Sequence, residues 1–212
     1  MHNTTCFLEG ATVKCIQIYS HMFSDLITSK TRVKLLNVFL ASPHDMYHVR
    51  ECVRRTEEEI NAVRRELLNL EGKGILKKEP RANRVYYSLS KEYPFYFDLL
   101  RVGSKTLGLG KEVLDNRVKL GKIKFAMFSG KFVRRIKEKP EDVDLMIVGT
   151  VVLPELAILV RSEEMRLGTE INYTAMTEEE FKFRKQRTDP FLVTILSGSR
   201  VMLIGDEEAM LA

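Results

Sequence analysis

The sequence feature that most constrains the fold is an uninterrupted apolar run, residues 145–148, entered through two aspartates. Asp142 and Asp144 stand two residues apart directly before this run. If residues 142–148 are extended, both carboxylates leave one face of a strand, while Val143 and Leu145 point to the other. Side-by-side carboxylates repel unless a cation lies between them, so the pair is a candidate Mg²⁺ site. The alternative is an acidic strand edge in solvent.

Length and composition fit a globular protein with one or two domains. The chain has 212 residues, of which 44% are hydrophobic and 30% charged. No apolar run approaches the roughly 20 residues that cross a bilayer, and no signal-peptide pattern is seen, so we expect a cytoplasmic protein that does not associate with membranes. Cys6, Cys15 and Cys52 are odd in number and form no CxxC pair, which favours free thiols over disulfides or a zinc site.

Charge is distributed unevenly along the chain, whose net charge is +5. Residues 101–139 carry 12 Lys and Arg against 3 Asp and Glu, whereas residues 140–212 carry 7 against 14. Either the basic middle faces a polyanion, or it pairs with the acidic last third. The sequence leaves both interpretations open.

The first half of the chain predicts three helices followed by a β-hairpin. An amphipathic helix runs from about residue 24 and ends before Pro43, and a short amphipathic segment spans residues 47–54. Thr56 and Glu59 have the spacing of a capping box, so a third helix should start at Thr56. Its buried stripe is Ile60, Val63, Leu67 and Leu70. Two extended runs, 75–79 and 84–89, flank a turn at residues 80–83.

This element order, together with the segment VRRELLNLEGKGIL at residues 63–76, resembles the winged helix-turn-helix of arsenic-repressor-like regulators. The resemblance covers about residues 26–89 and implies that the third helix enters the major groove while the hairpin, or wing, touches phosphates. It places Asn61, Arg64 and Arg65 against DNA, and Lys77, Lys78, Arg81 and Arg84 on the DNA backbone. Glu57-Glu58-Glu59 depart from the pattern, because carboxylates at the leading end of that helix oppose phosphates. The alternative is a winged helix used for protein contacts alone.

A connector at residues 94–121 joins the two halves of the chain. Apolar residues from Phe95 to Val102 predict one helix, glycines 103, 108 and 110 predict a bend, and a second helix is expected at residues 111–120. This connector is either a dimer-forming element or a spacer between domains. Beyond Gly121, strand and helix patterns alternate, which indicates a small α/β sheet with helices on at least one face.

The segments LGKIKFAMFSG and DVDLMIVG, at residues 120–130 and 142–149, resemble the minimal nucleotidyltransferases of the DNA polymerase β superfamily. The resemblance implies that Asp142 and Asp144 hold Mg²⁺, and that Glu170 is either a third carboxylate or a structural residue at a strand end. Ser129, Gly130 and Lys131 fall where that family has a phosphate-binding Gly-Ser turn, but neither register restores the dipeptide. Arg135 replaces a loop glycine, so positioning of phosphates should be impaired. Gly198-Ser199 spells the dipeptide near the C-terminus and is interpreted as a turn.

The sequence therefore predicts a two-domain α+β or α/β protein. Its parts are an N-terminal extension at 1–21, a winged helix-turn-helix at 22–93, a helical linker at 94–121 and a nucleotidyltransferase-like mixed sheet with helices at 122–212. The expected function is that of a dimeric, DNA-binding transcriptional regulator whose degenerate nucleotidyltransferase-like domain serves sensing or assembly, with a nucleotide as a further candidate partner. The alternative is an active Mg²⁺-dependent nucleotidyltransferase that modifies a protein or small acceptor, within a toxin–antitoxin pair. Mg²⁺ is the cofactor that the aspartates suggest.

Overall fold

The computed structural model describes residues 27–136, 139 and 141–212. The N-terminal extension predicted at 1–21 lies outside the described residues, as do Cys6 and Cys15. Internal contacts divide the chain into two compact units, with the boundary between Leu107 and Gly108. This boundary falls inside the predicted linker at residues 94–121.

The first unit consists of helices and one small antiparallel sheet. In order its elements are α1 (Lys30–Ala41), β1 (Tyr47–His48), α2 (Val49–Thr56), α3 (Ile60–Gly72), β2 (Leu76–Arg81), β3 (Arg84–Leu89) and α4 (Tyr96–Thr106). The strands lie in the order β1-β3-β2. The side chains of Leu35, Phe39, Val63 and Leu67 are fully buried and form the centre of the helical layer. The element order matches the winged helix that the sequence predicts.

The start of α3 differs from the predicted capping box. Thr56 is the last residue of α2, and its hydroxyl donates to the Cys52 carbonyl at 2.8 Å. Because that hydroxyl is engaged one turn back, it does not cap the next helix. Glu57 adopts a left-handed conformation with φ of 53°, which ends α2. Glu59 is the actual N-cap, and its carboxylate accepts from the backbone N–H groups of Asn61 and Ala62 at 2.8 and 2.9 Å.

The hairpin turn is shorter than predicted. Strand β2 continues through Pro80 and Arg81, so the turn is the dipeptide Ala82-Asn83, with Ala82 at a φ of 49°. Pro80 is tolerated in the strand because β2 lies at the edge of the sheet, where one side of the backbone needs no N–H donor.

The connector contains the predicted pair of helices, but their bounds differ from the prediction. Gly103 lies inside α4 and is buried, and a Cβ there would stand 3.1 Å from the Leu40 Cβ. The glycine therefore permits close packing of α4 against α1 and does not bend the chain. The next helix, α5 (Gly108–Asp115), starts and ends earlier than the predicted helix at 111–120.

The second unit combines α5 with a four-stranded mixed sheet. After α5 come β4 (Gly121–Ser129), α6 (Gly130–Val133), β5 (Leu145–Val151), α7 (Leu153–Leu167), β6 (Tyr173–Met176), α8 (Glu178–Gln186), α9 (Pro190–Ser197), β7 (Arg200–Ile204) and α10 (Glu207–Leu211). The strand order is β6-β5-β4-β7, with β5 and β6 parallel and the other pairs antiparallel. The predicted alternation of strands and helices is observed.

The apolar run at the start of β5 is buried throughout. Leu145, Met146, Ile147 and Val148 are at most 1% exposed, as expected for a strand covered on both faces. One of these faces joins a core that includes Phe125, Met127, Met146, Phe181, Leu192 and Met210. Among the helices that the structure describes, none has the length and apolar character needed to cross a membrane.

Candidate functional sites

The outer face of α3 is polar and exposed, as its sequence pattern indicates. Val63, Leu67 and Leu70 are buried against the rest of the first unit. Asn61, Arg64 and Arg65 are exposed. The predicted DNA-facing residues therefore stand on the side of α3 that a ligand can reach.

A surface cleft of about 300 Å³ lies where the start of α2, α3 and the hairpin meet. Arg50 comes from α2, Arg64 from α3 and Arg84 from β3, and all three line this cleft with His48 and Asn83. Planar guanidinium groups offer paired N–H donors that match phosphate oxygens. The cleft thus brings together cations that are far apart in sequence into one candidate phosphate site.

Arg50 and Asn83 are residues that the sequence did not single out. Arg50 is the second residue of an eight-residue helix, and Asn83 belongs to the hairpin turn. Their relation to Arg64 follows from the packing of α2 and the hairpin beside α3, which no local pattern encodes. The sequence indicates this arrangement only through the order of the winged-helix elements.

The wing lysines do not form a single patch with the wing arginines. Lys77 and Lys78 are consecutive on β2, so their side chains point to opposite faces of the hairpin. Lys78 lies 3.9 Å from Glu71, and the Arg81 Nε donates to Glu79 at 2.9 Å. This hydrogen bond to the Glu79 carboxylate raises the pKa of Arg81. The structure brings Arg84 together with Arg64 and leaves Lys77, Lys78 and Arg81 outside the cleft.

The acidic residues before α3 are largely engaged within the unit. The Glu58 carboxylate pairs with Lys34 at 2.7 Å, and this hydrogen bond lowers the pKa of Glu58. Glu59 caps α3, and the two N–H donors lower its pKa as well. Because these carboxylates have positive partners or helix N–H donors, their repulsion of a phosphate backbone is smaller than the sequence implies.

The second unit has a larger cleft, of about 420 Å³, at the end of β4. Its polar lining combines cationic, hydroxyl and carboxylate side chains, namely Ser129, Lys131, Arg134, Lys139, Glu141, Asp142, Thr194 and Ser199. Val143, Phe191 and Ile195 supply an apolar part. Two of the three predicted phosphate residues, Ser129 and Lys131, therefore line one cavity.

Gly130 is held against the start of β7. Its N–H donates to the Ser199 carbonyl at 2.6 Å, and a Cβ at position 130 would stand 2.9 Å from the Ser199 Cβ. Ser129 caps the short helix α6, because its hydroxyl accepts from the Phe132 N–H at 3.2 Å. The sequence predicts a turn at Gly198-Ser199 near the C-terminus. In the structure, Ser199 lines this cleft.

The two aspartates lie just before β5 and not within it. Strand β5 begins at Leu145, so the expectation of two carboxylates on one strand face is wrong. The backbone of Asp144 pairs with Asn172 through its N–H at 2.7 Å, and the Asn172 N–H donates to the Asp144 carboxylate at 3.0 Å. The Asn172 amide side chain donates to the Asp142 carbonyl at 3.1 Å. Asn172 therefore fixes this segment before the strand starts.

Asp142 has a different partner from Asp144. The Lys131 ammonium lies 2.9 Å from Asp142 Oδ2, and the Lys139 N–H donates to the same oxygen at 3.3 Å. The hydrogen bond from Lys131 is the main cause of a lowered Asp142 pKa. Each carboxylate thus has donors of its own.

Glu170 does not open a strand, since β6 starts at Tyr173, and its side chain is exposed. In the part of the chain that the structure describes, no three His, Cys, Asp or Glu side chains group as a metal site. Arg135, predicted to crowd the phosphate site, stands 5.0 Å from the centre of the Phe132 ring and does not line the cleft. Burial lowers the pKa of Arg135. The Mg²⁺ assignment stays a prediction.

Comparison with known proteins gives limited similarity. No protein-family model and no curated protein matches the chain. Reduced HlyU from Vibrio cholerae N16961 is 19% identical with a TM-score of 0.28, over 52% of this chain and 90% of that protein. Wild-type MarR from E. coli in its apo form is 18% identical with a TM-score of 0.31, over 57% of this chain and 96% of that protein. TM-scores this low do not establish a shared fold, and the winged-helix order of the first unit is seen in its own elements and strand order.

Proposed function

We propose that this protein is a DNA-binding transcriptional regulator that contacts DNA through its first unit. The observation that carries the proposal is the convergence of Arg50, Arg64 and Arg84 on one cleft beside the exposed face of α3. In this arrangement the cleft holds backbone phosphate, while Asn61 and Arg65 reach toward base edges. Lys77 and Lys78 add charge along the hairpin.

The distribution of charged side chains in the first unit supports the proposal. Glu58 and Glu59 are engaged by Lys34 and by the start of α3, whereas the three arginines share a concave surface. Three guanidinium groups on one concave surface match the charge and the paired oxygens of backbone phosphates, so the cleft fits a polyanion.

Fluorescence anisotropy with fragments of the source genome tests this function. Binding should weaken as salt rises, and replacing Arg50, Arg64 or Arg84 by Ala should each reduce the slope of log affinity against log salt by about 1. Lys91→Ala is the matched control, because Lys91 is exposed after β3 and does not line the cleft. Absence of salt-dependent binding, or binding unchanged in an Arg64→Ala, Arg65→Ala double variant, would refute the proposal.

We further propose that the second unit senses an anionic ligand, a nucleotide being the candidate that the sequence resemblance supplies. Support comes from the cleft at the end of β4, about 420 Å³ in volume, where Arg134, Lys139 and the hydroxyls of Ser129 and Ser199 lie beside the Lys131–Asp142 ion pair. Isothermal titration with nucleoside triphosphates and with pyrophosphate tests this role. Arg134→Glu should abolish binding, and Lys122→Glu, on an exposed part of β4, should leave it unchanged. An equal heat of ligand binding in wild type and Arg134→Glu would contradict the proposal that this cleft binds the anion.

An active Mg²⁺-dependent nucleotidyltransferase is the second candidate, because Asp142 lines the same cleft as Ser129 and Lys131. Labelled nucleoside triphosphates with Mg²⁺ would then yield label transfer that Asp144→Ala removes. Co-purification from the native host would reveal an acceptor or a toxin–antitoxin partner. We also propose, from the sequence expectation, that the protein binds DNA as a dimer, which light scattering of the purified protein measures independently.

A further inference from the structure

We propose that the Lys131 ammonium takes the place of a metal ion in the second unit. It supplies Asp142 with the positive charge that a divalent cation would otherwise provide. The inference concerns the cleft at the end of β4 alone and does not depend on DNA binding. It also goes against the nucleotidyltransferase alternative, which needs Mg²⁺ on the same carboxylate.

Hydrogen-bond donors already occupy the position beside the Asp142 carboxylate that a metal ion would take. Lys131 Nζ stands 2.9 Å from Asp142 Oδ2, and the N–H of Lys139 donates to that oxygen at 3.3 Å. Mg²⁺ requires oxygen ligands at 2.0–2.1 Å in a near-octahedral arrangement. A second cation so close to the ammonium would be repelled, and the ammonium would have to leave before the metal could bind.

The carboxylate of the neighbouring aspartate, Asp144, has a different hydrogen-bond partner. Asp144 Oδ2 accepts from the Asn172 N–H at 3.0 Å, and the backbones of the two residues are paired as well. An ion bridging Asp142 and Asp144 would therefore compete with the Lys131 ion pair and with a backbone contact that precedes β5. The residues present do not fit a shared divalent cation.

The position of Lys131 is fixed by its neighbours in the chain. Ser129 caps α6, and Gly130 is bonded to the Ser199 carbonyl, so the backbone entering Lys131 has little freedom. The paired side chains are only partly exposed, at 39% for Lys131 and 24% for Asp142. A preorganised, half-buried ion pair is harder to displace than one between mobile surface side chains.

A lysine in place of a metal ion changes the chemistry of the cleft. A divalent ion would bring two positive charges that bridge carboxylate and phosphate, as in metal-assisted phosphoryl transfer. A lysine bound to Asp142 brings one charge and only N–H donors. The cleft should then bind an anion without metal and offer no site from which a metal could act on it.

Titration of the full-length protein with Mn²⁺, followed by electron paramagnetic resonance, tests the inference. Wild type should show no Asp142-dependent site at Mn²⁺ concentrations up to about 1 mM, in the range where weak two-carboxylate sites would bind. Lys131→Met should increase Mn²⁺ affinity at least tenfold, and adding Asp142→Asn should remove the gain. Lys131→Arg keeps the positive charge and should stay like wild type.

Lys122→Met is the matched control, since it removes the same charge from an exposed position on β4 that does not line the cleft. Thermal unfolding gives a second readout: Mn²⁺ should raise the melting temperature of Lys131→Met but not that of Lys122→Met. The inference is overturned if wild type binds Mn²⁺ at a site that Asp142→Asn removes. It is equally overturned if Lys131→Met gains no more affinity than Lys122→Met.

Discussion

Replacing Glu66 by Gln should destabilise the first unit by loosening α3, the helix that carries Asn61, Arg64 and Arg65. Glu66 is buried, and its carboxylate accepts from the Ser29 hydroxyl at 2.7 Å, the Arg32 Nε at 2.8 Å and the Asn69 amide at 3.3 Å. Ser29 and Arg32 belong to the start of α1, so this carboxylate ties the two helices together. A glutamine of equal size keeps one acceptor but turns an NH₂ group toward these donors.

The structure sets the size of the effect. Hydrogen bonds to a charged group contribute about 1.5–3 kcal/mol, and removing one member of a buried ion pair costs about 3–5 kcal/mol. The Arg32 side chain is 26% exposed and that of Glu66 10%, so water screens part of the interaction. We therefore expect a loss of about 2 kcal/mol at pH 7, which shifts a urea midpoint by about 1 M.

The effect should depend on pH with a defined sign. Burial raises the pKa of Glu66, but hydrogen bonds from Ser29 and Arg32 outweigh it, and the net pKa lies below the ordinary 4.5. A carboxyl with a lowered pKa in the folded state stabilises the protein above 4.5 and loses that contribution as the pH falls through the folded value. The difference between wild type and Glu66→Gln should therefore shrink between pH 7 and pH 3.

Urea unfolding followed by circular dichroism at several pH values measures this difference. Glu71→Gln is the control on the same helix, because Glu71 has a loose ion pair with Lys78 at 3.9 Å and should change stability by less than about 0.5 kcal/mol. Equal stability of Glu66→Gln and wild type at pH 7 would refute the role of the carboxylate. A difference that stays constant down to pH 3 would refute its ionised state as the cause.

Three further outcomes are expected. Gly130→Ala should cost about 1–3 kcal/mol in urea unfolding, because the new Cβ meets Ser199, and Ser199→Gly in the same chain should recover part of the loss. Glu59→Ala should lower the urea midpoint at pH 7 by removing the N-cap of α3, whereas Glu57→Ala, outside that cap, should not. In a Cys6→Ser, Cys15→Ser background, Cys52 should resist Ellman's reagent at pH 8 until the protein unfolds, because burial raises its pKa to about 12; rapid reaction in the native state would contradict this.

The elements of the first unit could be predicted because their signals are local. The predicted stripe of Ile60, Val63, Leu67 and Leu70 has helical spacing, and the last three are buried while Ile60 is half-buried. The predicted capping box is wrong because the Thr56 hydroxyl can either cap the next helix or donate to a carbonyl of its own helix. In the structure it donates to the Cys52 carbonyl, one turn back in α2. Such competition between neighbouring helices depends on how α2 ends, which the pattern of Thr56 and Glu59 does not contain.

The candidate sites were only partly predictable because they join distant parts of the chain. Lys131 and Asp142 were both singled out, but their ion pair joins side chains 11 residues apart, and no local pattern predicts that contact. The contact between Gly130 and Ser199 depends on β7 pairing with β4, a long-range feature of the sheet. The aspartates were placed on a strand because alternation favoured it, whereas β5 starts at Leu145, and Asp144 lies just before it with its backbone N–H bonded to the Asn172 carbonyl.

The uneven charge of the chain is a poor guide to where a polyanion binds. Lys124 and Lys131 belong to the basic middle segment, yet each pairs at 2.9 Å with an acid of the last third, Glu178 and Asp142 respectively. These lysines therefore follow the second interpretation of the charge pattern, in which the basic middle pairs with the acidic last third. Their charge is neutralised within the second unit. The first unit has a smaller excess of positive charge, but three of its arginines line one cleft. Affinity for a phosphate backbone depends on cations that reach the same groove, so the convergence of Arg50, Arg64 and Arg84 outweighs the larger charge of residues 101–139.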